Sequence, residues 1–201
     1  KIIGLIGGLG VAGSVMQFGS QFLLGLTLSE ANFGLLTVIF NLSSLLTPIA
    51  VMGCRNILLS KAIDRDENFS RHLISLIVFC KIFCICIFSL GLLSYMLGFK
   101  IEITWSFFFV SSWLLIISLS EISAAASQAV ERYFRSNLLS LLPHALKFSI
   151  SVLFFIGVFP SVLDLGLLVL IVLPLALIVG YSIGPNFDGT VNGPRFIEVF
   201  K

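Results

Sequence analysis

From Ile2 to Leu28 the chain runs 27 residues without a charged side chain. Coiled as an α-helix at 1.5 Å per residue, that stretch is about 40 Å long, enough to cross a bilayer with some tilt. It is the first of six such runs. The others cover residues 31–54, 72–99, 103–130, 138–160 and 165–184, with polar stretches at 55–71 and 131–137 between them. Backbone groups in hydrocarbon must be hydrogen-bonded within their own segment, so runs of this length read as helices. A barrel would alternate apolar and polar residues in segments of roughly ten, and no segment here does. The expected fold is an all-α membrane protein, with about six transmembrane helices forming one bundle over residues 1–184. From 185 to 201 the chain turns polar and rich in Gly and Pro. Arg195, Glu198 and Lys201 are spaced with apolar residues between them, the pattern of an amphipathic segment on a membrane surface, leading toward further helices in a longer protein.

Composition supports the same class. Hydrophobic residues make up 58% of the chain, charged residues only 11%, and the mean hydropathy is +1.11. A soluble domain carries roughly 25% charged residues. A net charge of +2 gives no basic surface for nucleic acid. Cys80 and Cys84 share a helix face, a spacing a metal could use, but no histidine or carboxylate accompanies them and they read as small packing residues. No metal or other cofactor is expected. The chain has no GxSxG, HExxH or P-loop motif and no pair of carboxylates on one helix, so enzymatic chemistry is not expected. His72 and His144 read as interfacial residues near inner helix ends.

Orientation follows from where the basic residues fall. With the N-terminus inside, the inner segments hold Lys1, Arg55, Lys61, Arg65, Arg71, Arg132, Arg135, Lys147, Arg195 and Lys201. The outer links hold Lys100 alone, and Lys81 lies within a span. Both termini are therefore expected on the cytoplasmic side.

Two charges inside the runs matter most. Lys81 and Glu121 each lie ten residues from a charge at the inner end of their run, Arg71 and Glu131. A charge at the bilayer centre costs upwards of ~3 kcal/mol on insertion scales, so the two are candidates for an intramembrane ion pair. A role in substrate or ion passage, or separate snorkelling, stays open. Gln17 and Gln21 lie one turn apart on the first helix, and Asn41 lies on the second. They either line a hydrated cavity or hold helices together through hydrogen bonds of about 0.6 kcal/mol each. Gly4 and Gly8, at GxxxG spacing with Gly7, Gly10 and Gly13 nearby, suggest close packing of that helix.

Three segments resemble a known family. Leu28-Ser29-Glu30-Ala31-Asn32-Phe33-Gly34-Leu35-Leu36 looks like the link after helix one of bacterial polysaccharide (O-antigen-type) flippases, which belong to the multidrug/oligosaccharidyl-lipid/polysaccharide exporter superfamily. The stretch from Ser44 through Gly53 and Arg55 is similar to that family's helix two running into its first cytoplasmic loop, and Gln128–Arg135 resembles its second. The resemblance implies the N-terminal half of a flippase in the bacterial inner membrane. Its substrate would be a lipid-diphosphate-linked oligosaccharide, such as an O-antigen or capsule repeat unit, moved from inner to outer leaflet by alternating access. Implied partners are that substrate, membrane lipids, and polysaccharide polymerase and chain-length machinery. Arg55 and Lys61 become candidates for first capture of the diphosphate, beside their plainer role as inner-side anchors. The alternatives are an ion-coupled multidrug-type exporter of the same superfamily and a non-catalytic structural membrane subunit.

Overall fold

The structure is a computed structural model describing residues 2–63, 69–129, 131–158 and positions 168, 169, 171, 172 and 175. Every element among the described residues is helical: α1 (Ile2–Thr27), α2 (Glu30–Val51), α3 (Cys54–Ile63), α4 (Phe69–Met96), α5 (Ile101–Ala129) and α6 (Tyr133–Phe155). Five stretches are long and apolar enough to cross a membrane: Gly8–Thr27, Glu30–Ser60, Arg71–Met96, Ile101–Ala129 and Tyr133–Phe155. The sixth expected span, 165–184, and the amphipathic segment 185–201 lie almost wholly outside the described residues. Of its five described residues, Leu168, Val169 and Val172 are buried in the core and Leu175 packs against it.

Short polar turns fold the helices back on one another. Ser29 caps α2, its hydroxyl accepting from the Asn32 N–H at 3.5 Å, with Glu30 in the first turn where a negative charge suits the helix dipole. α4 ends on Gly98 at φ +76°, with the Phe99 N–H donating to the Ser94 carbonyl and the Gly98 N–H to that of Tyr95. That left-handed closure turns the chain into α5. The same pair of bonds ends α5, from Arg132 to Ser127 and from Glu131 to Gln128, with Glu131 holding φ +60° without being glycine.

The second apolar run does not form one continuous helix. Pro48 has no N–H to give to the helix, and a turn later Met52 (φ +46°) and Gly53 (φ +65°) go left-handed. The ladder restarts at Gly53, whose carbonyl accepts from Asn56 and Ile57. The polar stretch expected as a loop thus begins as the helix α3. The fifth expected helix, α6, also starts earlier than expected, at Tyr133 rather than 138, because the Arg132 turn leads directly into it.

α5 is the centre of the bundle and packs against α2, α3, α4 and α6. Its Ser and Ala residues between 118 and 129 let neighbouring backbones approach closely. Against α4, Ser111 donates to the Cys84 carbonyl at 2.7 Å and Ser94 meets Thr104 at 3.2 Å, while Phe88 stacks on Phe108. Among the described residues the hydroxyls of Ser118, Ser123 and Ser127 are buried without a hydrogen-bond partner. α1 is peripheral. It rests on α6 and barely touches α2. Its close contacts run through Gly13, under Leu141 and His144, and Gly19, under Phe148; Gly8 and Gly10 face open space.

Gly91 is the tightest point between α4 and α5. A Cβ there would lie 2.6 Å from the Phe108 ring and 3.0 Å from the Phe107 Cβ. Replacing Gly91 by Val is expected to cost about 1–3 kcal/mol through overpacking. Thermal unfolding in detergent should show the loss, while Gly8→Ala, with nothing within 4 Å, should leave the midpoint unchanged or slightly raised.

Candidate functional site

α1, α2, α5 and α6 do not close on one another completely. They surround a cavity of about 800 Å³, with the break between α2 and α3 in its wall. The reason lies in residue size. Along one face of α5 run Ile117, Ser120, Ala124 and Ala125, mostly short side chains, and Pro48 and Gly53 stand on the α2–α3 side. On α6, Ser136, Asn137, Ser140, His144 and Lys147 recur every three or four residues and turn one face toward the space. Nothing large fills it.

Polarity is graded along the cavity. Near the α5–α6 turn it is lined by Asn56, Gln128, Tyr133, Ser136 and Asn137. Deeper in stand Glu121 and His144, and at the far end Gln17, Lys147, Phe40 and Trp113. The Lys147 ammonium sits over the Phe40 ring, 4.4 Å from its centroid, and Trp113 packs edge-on against Phe40 at 5.1 Å. Such a contact between cation and ring is worth about 2 kcal/mol when desolvated. α3 starts at the cavity wall, so the positive end of its dipole lies beside the same space.

Lys147 is the main departure from the sequence-based expectation. It was counted among inner-side loop residues, but it lies fourteen residues into α6, about 21 Å from Tyr133 along the helix. His144 likewise lies in the middle of α6 rather than near its end. The signal that could have found Lys147 is its place inside the fifth apolar run, 138–160, where a cation deserves the same notice as Lys81 or Glu121.

Of the residues singled out from sequence, Gln17 and Glu121 line the cavity. Gln21 and Asn41 are exposed and do not. Arg55 and Lys61 belong to α3, and their side chains lie outside the described residues. Lys81 is half-buried on α4, while Glu121 faces the cavity that α4 does not line. The two form no ion pair among the described residues. Comparable depth is not enough for a pair, because the faces differ. α5 presents Thr104 and Ser111 to α4, and Glu121 lies roughly 80–100° around the helix from them, at about 100° per residue. Cys80 and Cys84 are buried with free thiols, and no group of three metal-ligating side chains exists among the described residues.

The fold and site together define a class: a helical bundle compatible with a multi-pass membrane protein, holding a polar cavity among its apolar helices. Comparison with protein-family models, curated proteins and solved structures finds no match that would narrow the class further.

Two outcomes follow. In a background without native cysteines, Gln17→Cys and Glu121→Cys should react with a charged, membrane-impermeant thiol reagent, whereas Ile85→Cys, exposed on the outer face of α4, should not. A double-mutant cycle on Lys81→Ala and Glu121→Ala should give a coupling energy below about 0.5 kcal/mol in thermal or denaturant unfolding, the value for independent sites.

Proposed function

We propose that the chain is part of a transporter that carries an amphiphile with an anionic head across a membrane. In its specific form the proposal is a flippase for a lipid-diphosphate-linked oligosaccharide, working by alternating access in a bacterial inner membrane with six spans and both termini cytoplasmic. The observation that carries it is Lys147: a cation far inside an apolar helix, facing a cavity lined by hydroxyls and carboxamides. A charge at that depth costs several kcal/mol unless it is solvated or has an anion to meet, and such residues mark substrate paths. A diphosphate is a fitting anion, since charge-assisted hydrogen bonds to phosphate are the strong ones. The dipole of α3 adds positive potential on the same wall. The sugar would occupy the polar part of the cavity and the hydrocarbon tail would remain in lipid, where the exposed residues Phe18, Phe22 and Leu45 already face outward. The three resemblant segments support the same reading, with polymerase and chain-length machinery as its partners.

One observation favours the exporter of the same superfamily. Glu121 places a carboxylate in the cavity with no cationic partner within 4 Å among the described residues, a place for a coupling ion or a cationic drug.

Complementation separates the two. In a strain lacking its own O-antigen-type flippase, the parent protein should restore surface polysaccharide. Lys147→Ala should lower it at least about tenfold, the scale of one lost charge-assisted contact, and Lys147→Arg should recover most of it. Ion-gradient-driven efflux of ethidium that needs Glu121 but not Lys147, without polysaccharide restoration, would replace the flippase by the exporter.

A further inference from the structure

We infer that the edge of the cleft between α1 and α2 is a carbohydrate-reading subsite, formed by the carboxamides of Gln17, Gln21 and Asn41. The inference rests on the transport reading above and names the part of the substrate that this edge would hold.

The argument begins with the packing. α1 leans on α6, α6 on α5, and α5 on α2, so the four helices form a horseshoe around the cavity. Its two ends, α1 and α2, are consecutive in sequence yet hardly touch. They meet near the Ser29 turn, where Phe33 lies 3.9 Å from a Cβ built at Gly25, and beyond it Gln17 of α1 and Phe40 and Ser44 of α2 line the same cavity, which is the cleft between them.

Both sides of that cleft carry amides. On α1, Gln17 lines the cavity, and Gln21 follows one turn later, about 40° further round from the face buried against α6. On α2, Phe40 and Ser44 line the cavity, and Asn41 lies about 60° beyond Ser44, on the side away from the buried Leu36, Ile39 and Ser43. Depth agrees as well. Gly13 meets Leu141 and His144, and Gly19 meets Phe148, so Gln17 is level with Lys147. Asn41 follows Phe40, the ring under the Lys147 ammonium.

Among the described residues none of the three amides has a hydrogen-bond partner, and all three are exposed. The neighbouring hydroxyls are different. Ser14 and Ser44 each donate back to a carbonyl one turn earlier and need nothing else. Each amide offers two donors and an acceptor, and leaving them unpaired in an apolar medium costs a few kcal/mol per group. The groups that would satisfy them are neutral, donate and accept at once, and sit beside an anion held at Lys147. A hydroxyl-rich ring attached to a phosphate meets all three conditions. Phe40 and Trp113 give the ring's C–H face an apolar surface behind it.

Binding by the full-length protein in lipid nanodiscs tests this, read as quenching of Trp113 in a variant with Trp105 and every other tryptophan of the protein replaced by Phe. The probes are farnesyl diphosphate and three farnesyl-diphosphate-linked sugars, carrying N-acetylglucosamine, galactose or rhamnose. At least one sugar should bind about tenfold more tightly than farnesyl diphosphate, the worth of one or two net hydrogen bonds. In Gln17→Leu/Gln21→Leu/Asn41→Leu that ratio should fall to about one, with farnesyl diphosphate affinity unchanged. Lys147→Gln should weaken all four probes together and leave the ratio intact, so a failure of the anion reading is visible separately. A ratio near one for every sugar in the native protein, or a ratio that survives in the triple variant, overturns the inference. If the amides instead pack against other helices, the triple variant melts lower while its ratio stays, and that result also overturns it.

Discussion

Burial of α5 is the interaction around which the other helices arrange themselves. A helix contacted by α2, α3, α4 and α6 must let four backbones come near, and the Ser and Ala content of its second half makes that possible. The same economy of size has a second result. Where the short side chains face α4 they give tight contact, and where Ser120, Ala124 and Ala125 face α6 and α2 they leave a void. One helix composition thus yields both the core and the cavity.

Inside the void, polar groups need compensation that the apolar helices do not provide. A lysine at the centre of a span costs about 3 kcal/mol on insertion scales, and its place over Phe40 returns about two thirds of that. The remainder falls to whatever fills the cavity. Glu121 occupies the same space without meeting Lys147. Two opposite charges that do not meet in one chamber leave each available to a mobile counter-charge, which is what the proposed transport reading calls for.

Much of this was legible in the sequence. Five of the apolar runs are long helices, for the reason given by length alone: hydrocarbon demands that a backbone satisfy itself. The polar residues Gln17 and Glu121 were visible as exceptions within those runs. Three things were not legible, each for a physical reason. Counting basic residues assigns a side of the membrane but no depth, so Lys147 was credited to the inner loop. Matching Lys81 and Glu121 by depth ignores rotation about the helix axis, and a side chain 80–100° away from an interface does not reach across it. The break at Met52–Gly53 depends on two consecutive left-handed residues, one of them not glycine, and only Pro48 hinted that the ladder would falter there. Of the glycines marked in the first run, Gly13 does make a close approach while Gly8 and Gly10 face open space, because a partner helix and not spacing decides which glycines matter.

The attachment of α1 to α6 bears on the order in which the protein is assembled. Gly13 waits for Leu141 and His144, which leave the ribosome about 130 residues later, on the order of ten seconds at ordinary synthesis rates. Until then α1 has only the Ser29 turn and a marginal contact with α2 to hold it. It must therefore persist in the bilayer as a solitary helix, with its glycines and glutamines facing lipid, while α2 to α5 gather beside it. Of the described helices, the one earliest in sequence waits longest for its neighbour, and the cavity does not exist until the two meet.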